Sequence, residues 1–104
     1  MTCKHCLTIT VHKIKGTCPV YKEGDQFFIK DGFILDSRKS CDVCVHSLTS
    51  ILPYYVALAH GVAPAEIGLT GGDGETAFVQ CLDPCEITGG GTVTLKIERN
   101  DETG

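Results

Sequence analysis

The sequence has neither a long apolar run nor a cluster of basic residues. Its longest apolar stretch, SLTSILPYYVALAHGV, is interrupted by Ser, Thr, Pro and His, and it is shorter than the roughly 20 residues that a helix needs to cross a bilayer. The nine Lys and Arg residues are scattered through a chain of net charge −4, so no basic stripe could follow a phosphate backbone. We therefore expect no membrane contact and no nucleic-acid partner.

A secretion signal is also missing from the N-terminal stretch. MTCKHCLTITVHKIKG alternates apolar and polar residues, whereas a signal peptide places a basic segment before an apolar one. A cytoplasmic location is therefore expected, and the cytoplasm keeps most thiols reduced. Metal or redox chemistry then explains the seven cysteines better than structural disulfides do.

Several catalytic and cofactor motifs are absent as well. No Ser-His-Asp order is readable, and TGGDGE lacks the Lys-Ser/Thr of a phosphate-binding loop. Leu7 and Val45 follow the two Cys-x2-Cys pairs where covalent haem attachment needs His. The cysteine spacing also differs from the bacterial ferredoxin run. The sequence therefore gives no basis for a hydrolase or a phosphate-binding loop, and it excludes c-type haem attachment and simple ferredoxin identity.

The chain length and the apolar pattern predict one small α+β domain. A chain of 104 residues, 42% of them hydrophobic, can form a single core, so residues 1–104 are taken as one metal-binding domain with a frayed tail at 99–104. Alternating apolar residues predict strands at 7–14 and 92–98, and a further strand is expected at 76–81. Asp31-Gly32 favours a two-residue turn between strands Phe27–Lys30 and Phe33–Leu35.

One main helix is expected between the third and fourth strands. Its buried face has helical spacing and consists of Leu48, Ile51, Leu52, Tyr55, Val56 and Ala59. Pro53 lies inside that pattern, so the helix is either kinked there or begins late, and Gly61 is a natural stop. The order β-β-β-α-β-β predicts a small antiparallel sheet or partial barrel with this helix packed on it.

All seven cysteines are candidate metal ligands. They form two Cys-x2-Cys pairs, one isolated residue and one Cys-x3-Cys pair: Cys3, Cys6, Cys18, Cys41, Cys44, Cys81 and Cys85. A Cys-x2-Cys turn brings two thiolates close enough to bind one metal, in zinc ribbons and in iron–sulfur sites alike. The spacing therefore indicates metal binding without selecting the metal.

Three segments resemble a known family. KGTCPVYKEGDQFFI, CVHSLTSILPYYVALAHG and VQCLDP, the last followed by GGGTVTLKIER, are similar to a family of small uncharacterised proteins found mostly in anaerobic bacteria and archaea. That family has a KGxCPxGxKxGDxF opening, a CPxAxxxLxP segment and a CPDP segment. The resemblance implies that Cys18, Cys44 and Cys81 form a shared cofactor-binding core, and the anaerobic setting implies oxygen-sensitive iron–sulfur chemistry.

These observations lead to a principal hypothesis and two alternatives. The principal one is a protein with one [4Fe–4S] cluster, or two, that serves as an accessory or electron-transfer subunit of an anaerobic enzyme; Cys41, Cys85 or another chain would supply a fourth ligand. Its partner would be a larger enzyme subunit, with a homo-oligomer as another arrangement. The first alternative is a structural Zn²⁺ module built on Cys3, Cys6, Cys41 and Cys44. The second is a small enzyme with an open-site cluster or a reactive thiol, such as Cys41 before the helix.

Overall fold

A computed structural model describes residues 4–100 and has an α+β fold, as predicted. Its strands are β1 (Leu7–Gly16), β2 (Gln26–Lys30), β3 (Ile34–Leu35), β4 (Ala77–Gln80) and β5 (Gly91–Arg99). Its helices are α1 (Val45–Ile51), α2 (Tyr55–Ala59) and α3 (Cys85–Thr88), with a 3-10 helix at Pro64–Ile67. The sheet is open, so the chain adopts the sheet and not the partial barrel. The sequence did not predict the short α3.

The sheet is antiparallel and has the strand order β3-β2-β1-β5-β4. Its two longest strands, β1 and β5, lie at the centre and pair from Leu7 with Arg99 to Gly16 with Gly91. A bulge interrupts this pairing between Val11 and Lys13. The long central pair therefore has two distinct ends, one at the start of β1 and one where β1 ends and β5 begins.

Alternation along the strands places one face of the sheet in the core. Ile9, Phe27 and Leu95 are fully buried on that face, and Ile51 of α1 and Ala59 of α2 cover it. Burial of each large apolar side chain contributes roughly 1.5–3 kcal/mol. The threonines at alternate positions of β1 and β5 are only partly buried, so the helices form a second layer on one face of the sheet.

The predicted main helix is divided in two at Pro53. Helix α1 ends at Ile51 and α2 begins at Tyr55, because proline has no N–H to donate and its ring crowds the preceding turn. The Tyr54 N–H donates instead to the Ile51 carbonyl at 2.9 Å. The chain thus passes from α1 to α2 through a tighter turn, and Gly61 follows the end of α2 as expected.

All five strands have boundaries that differ from the predicted ones by one or two residues. Asp31 and Gly32 have φ of 57° and 85°, as the predicted turn requires, but pairing resumes at Ile34 and leaves Phe33 in the loop. Strand β5 extends to Arg99, and the Asn100 N–H donates to the Cys6 carbonyl at 3.0 Å. Residues 99 and 100 are therefore ordered against β1, while 101–104 lie outside the described residues. Within residues 4–100, no helix is long and apolar enough to cross a membrane.

Candidate functional site

Five of the predicted ligands are free thiols, and we call them the cysteine region: Cys18, Cys41, Cys44, Cys81 and Cys85. Cys6 is disulfide-bonded and buried at the start of β1, and Cys3 lies outside the described residues. Since a strand rises about 3.3 Å per residue, the ten residues of β1 hold Cys6 far from Cys18. The structure therefore does not bring Cys6 to the cysteine region.

Cys18 and Cys81 meet at Gly91, the first residue of β5. The Cys81 Sγ donates to the Gly91 carbonyl oxygen at 3.5 Å and accepts the Val93 N–H at 3.2 Å. A methyl group added at Gly91 would lie 2.7 Å from the Cys18 backbone nitrogen. Glycine is thus required here by the close approach of the two chain segments.

Cys85 joins this end of the sheet from α3. Its N–H donates to Thr92 Oγ1 at 3.3 Å, and its Sγ lies 3.4 Å from the position that a Cβ of Gly16 would occupy. Gly16 is the last residue of β1 and pairs with Gly91. Three thiols therefore surround the point where β1 ends and β5 begins.

Tyr21 connects Cys18 to the segment that carries Cys41 and Cys44. Its N–H donates to the Cys18 Sγ at 3.3 Å, and its hydroxyl oxygen accepts the Cys44 N–H at 2.8 Å. Cys44 is the residue that precedes α1, and the Cys41 N–H donates to the Gln26 carbonyl at 3.0 Å. The three Cys-bearing loops are thus in contact through Tyr21 and Gly91.

Burial raises the pKa of the Cys41 thiol, and the carboxylates of Asp25 and Asp42 raise it further. A thioredoxin-like reaction requires the opposite, a thiol whose pKa is lowered so that the thiolate can attack. Cys41 also lies outside α1, which begins at Val45. The reactive-thiol alternative therefore gains no support from Cys41.

The cysteine region has the donor chemistry of a thiolate site without a formed ligand set. Backbone N–H groups point at two sulfur atoms, and such hydrogen bonds stabilise thiolates and tune metal–sulfur sites. In the described part of the chain, however, no group of three or more His, Cys, Asp and Glu side chains could hold a metal ion. Metal binding here requires side chains to turn toward one another.

The zinc grouping is divided between the two ends of β1. Cys6 lies beside Asn100, whereas Cys44 contacts Tyr21, three residues after Cys18.

Sequence reasoning missed Tyr21 and Ser47. Ser47 interrupts the apolar face of α1 one turn before Ile51, and a polar residue at such a position is a detectable signal for a buried hydrogen bond. Tyr21 lies in a polar loop with no comparable signal.

Comparison of the chain with protein-family models, curated proteins and solved structures gave no match. The resemblance that singled out Cys18, Cys44 and Cys81 therefore stays a prediction. The geometry of these three residues has to be weighed by itself.

Proposed function

We propose that the chain is a cysteine-ligated iron–sulfur protein that acts as an accessory or electron-transfer subunit. The observation that carries the proposal is the pair of N–H···S hydrogen bonds in one cysteine region, from Tyr21 to Cys18 and from Val93 to Cys81. Backbone N–H groups that donate to cysteine sulfur are a feature of iron–sulfur sites, where such hydrogen bonds tune the potential of the cluster.

The proposed ligands are Cys18, Cys44 and Cys81, with Cys41 or Cys85 as the fourth. A bound cluster supplies one-electron transfer, at a potential that depends on hydrogen bonds to sulfur and on exposure to solvent. The chain provides both of these controls. Cys81 is buried, and the other four thiols are partly buried, so the sulfur atoms lie at the edge of the core and close to the surface.

Exposed apolar residues next to these cysteines support a role as an accessory subunit. Each lies within two positions of a thiol: Val20 is 40% exposed, Val45 72%, Leu82 57% and Ile87 85%. Large apolar side chains grouped on a surface are typical of protein-binding sites. A larger enzyme subunit that docks on these residues would exclude water from the thiols and shorten the path for an electron.

The proposal is tested by metal analysis of protein purified without oxygen. About four iron and four acid-labile sulfide per chain, or about eight of each for two clusters, would support it, together with a visible absorption that bleaches on reduction. Cys18→Ser and Cys81→Ser should lose iron and sulfide. A chain that binds neither iron nor sulfide under reconstitution would refute the proposal.

Zinc is the second candidate, because the same thiolates suit Zn²⁺. About one zinc per chain without sulfide would indicate a structural site in a protein-interaction module. Two variants separate the possible zinc sites. Cys6→Ser would abolish zinc binding by the grouping Cys3, Cys6, Cys41 and Cys44, whereas Cys18→Ser would abolish it only if zinc is bound in the cysteine region.

A further inference from the structure

Tyr21 contacts two of the proposed ligand residues, Cys18 through its backbone and Cys44 through its side chain. Its backbone N–H donates to the Cys18 Sγ, and its hydroxyl oxygen accepts the N–H of Cys44. Both groups are held in place, since Tyr21 is only 3% exposed and its ring stacks on Phe27 with centroids 6.1 Å apart. One rigid side chain therefore fixes the separation between the Cys18 loop and the start of α1.

A closed set of hydrogen bonds determines the role of each hydroxyl. Ser47 Oγ donates to the Cys44 carbonyl at 2.7 Å, which uses its single proton. The Tyr21 hydroxyl, 2.7 Å from Ser47 Oγ, must then donate to Ser47 and accept from Cys44. Ser47 is fully buried, so water cannot replace a lost partner. Both backbone polar groups of Cys44 are satisfied within this set.

The loop that carries Tyr21 is also anchored at its base. The Val11 N–H donates to the Asp25 carbonyl at 2.8 Å, and the Gly24 N–H donates to the Val11 carbonyl at 2.9 Å. Residues 17–25 are thus tied to β1 at one end and to α1 through Tyr21. A displacement of Cys44 has to break the Tyr21 hydroxyl contact or move the whole loop with Cys18.

We propose that Tyr21 is a positioning residue of the cysteine region: it couples the Cys18 loop to the backbone of Cys44, so that both residues stay in register when their side chains turn toward a metal. The inference rests on the proposed function, because it assigns these two residues as ligands. It predicts that loss of the hydroxyl weakens metal binding without removal of any sulfur. Partners that orient metal ligands commonly change metal affinity by about 10- to 100-fold.

The test compares Tyr21→Phe with Tyr55→Phe, whose ring also packs against the core. The first readout uses reduced, metal-free protein and measures by mass spectrometry how fast each cysteine is alkylated. Loss of the hydroxyl contact should raise the rate at Cys44 about three- to tenfold. The rate at Cys85 should not change, and Tyr55→Phe should leave both rates unchanged.

The second readout is titration with Co²⁺ alone, whose thiolate complexes absorb visible light. Tyr21→Phe should bind about 10- to 100-fold more weakly than the unsubstituted chain, and Tyr55→Phe should match it. Equal affinity and an unchanged Cys44 rate in Tyr21→Phe would overturn the inference while leaving the proposed function intact. If the unsubstituted chain binds neither Co²⁺ nor iron, the proposed function fails, and the inference that Tyr21 positions metal ligands fails with it.

Should Tyr21→Phe fail to fold, Ser47→Ala provides the same test. It removes the acceptor of the Tyr21 hydroxyl and the donor to the Cys44 carbonyl, yet it retains the Tyr21–Cys44 contact. We expect a smaller rise in the Cys44 rate than in Tyr21→Phe, and Co²⁺ binding that weakens in parallel. A Cys44 rate and a Co²⁺ affinity that both stay unchanged would contradict the inference.

Discussion

The two ends of the central β1–β5 pair are built from different chemistry. At one end lies the cysteine region. At the other, which we call the histidine end, the rings of His5 and His60 stack with centroids 4.0 Å apart and an interplanar angle of 17°. Their Nδ1 atoms lie 3.2 Å from the Ala59 carbonyl and 2.9 Å from the Val56 carbonyl. A cavity of about 400 Å³ adjoins this end, with Leu7, Leu58 and Arg99 in its wall.

The direction of the hydrogen bonds distinguishes the two ends. A carbonyl oxygen only accepts, so each Nδ1 at the histidine end carries its proton and donates. The two rings lie nearly parallel. At the cysteine end the backbone N–H groups of Tyr21 and Val93 donate to sulfur, and the Cys81 thiol in turn donates to the Gly91 carbonyl. The histidine end thus closes the helix layer by packing, whereas at the cysteine end two backbone N–H groups donate to sulfur atoms.

The largest effect should come from a substitution in the core that both ends share. Phe27 is fully buried, and Phe27→Ala should lower the free energy of unfolding by about 3–5 kcal/mol. Phe33→Ala is the matched control, because Phe33 is 74% exposed and should change stability by less than about 0.5 kcal/mol. Denaturant unfolding measures both. Similar values for the two variants would contradict the assignment of Phe27 to the core.

A substitution at Gly91 should disturb the cysteine end alone. A methyl group there would lie 2.7 Å from backbone atoms of Thr17 and Cys18, and overpacking of this kind costs about 1–3 kcal/mol. Gly91→Ala should also accelerate alkylation of Cys81. Gly89→Ala is the control: its φ of 76° is unfavourable for Ala, but no atom crowds the added methyl group. Its stability should therefore fall, while the alkylation rate of Cys81 stays unchanged. NMR signals of the histidine rings should stay in place in both variants.

A substitution at the histidine end should leave the cysteine region unchanged. His60→Ala removes the ring stack and the hydrogen bond to the Val56 carbonyl, and it should cost about 1 kcal/mol. Since the cysteine region lies at the far end of β1, the alkylation rates of its thiols should not change. His46→Ala, on the exposed side of α1, should be close to neutral in thermal unfolding. Faster alkylation of Cys44 in His60→Ala would show that the two ends are coupled.

The smallest effect concerns the ionisation of Cys41. Its pKa is raised above the ordinary 9.0, first by burial and then by Asp25, so the folded chain holds a proton that the unfolded chain has already lost. Stability should therefore fall as pH rises past 9.0. Asp25→Asn removes one negative charge and should shift Cys41 alkylation to lower pH, whereas Asp36→Asn should not. A profile that stays the same in Asp25→Asn would show that burial and Asp42, and not Asp25, raise the pKa of Cys41.

Much of the fold could be predicted from local pattern. Alternation identified β1 and β5, and the need of Asp31-Gly32 for positive φ identified the hairpin. Pro53 predicted a break between α1 and α2. It did not predict whether the helix would kink or begin late, because that depends on how Leu48 and Ile51 pack on the sheet. The strand order could not be predicted, since pairing of β1 with β5 joins residues as far apart as Leu7 and Arg99 and leaves no local signal.

The candidate site was predictable only as a set of residue types. Spacing identified every cysteine but treated Cys6 and Cys18 alike, although β1 separates them. The roles of Tyr21 and Gly91 depend on contacts between distant loops. Gly91 stood in the run GGGT as one of three equivalent glycines, and only the approach of Cys18 distinguishes it from its neighbours.

The position of β1 and β5 side by side has a consequence for biosynthesis. Cys81 rests on residues 91–93, and Cys18 packs against Gly91, so neither environment exists until β5 has been made. At about 5–20 residues per second, β1 waits roughly 4–16 s for the partner strand that completes its pairing. During that interval the thiols near the end of β1 are exposed on an unfinished chain. Any metal that binds them before β5 emerges meets a flexible ligand set, and the last strand to be synthesised determines when the cysteine region acquires its final geometry.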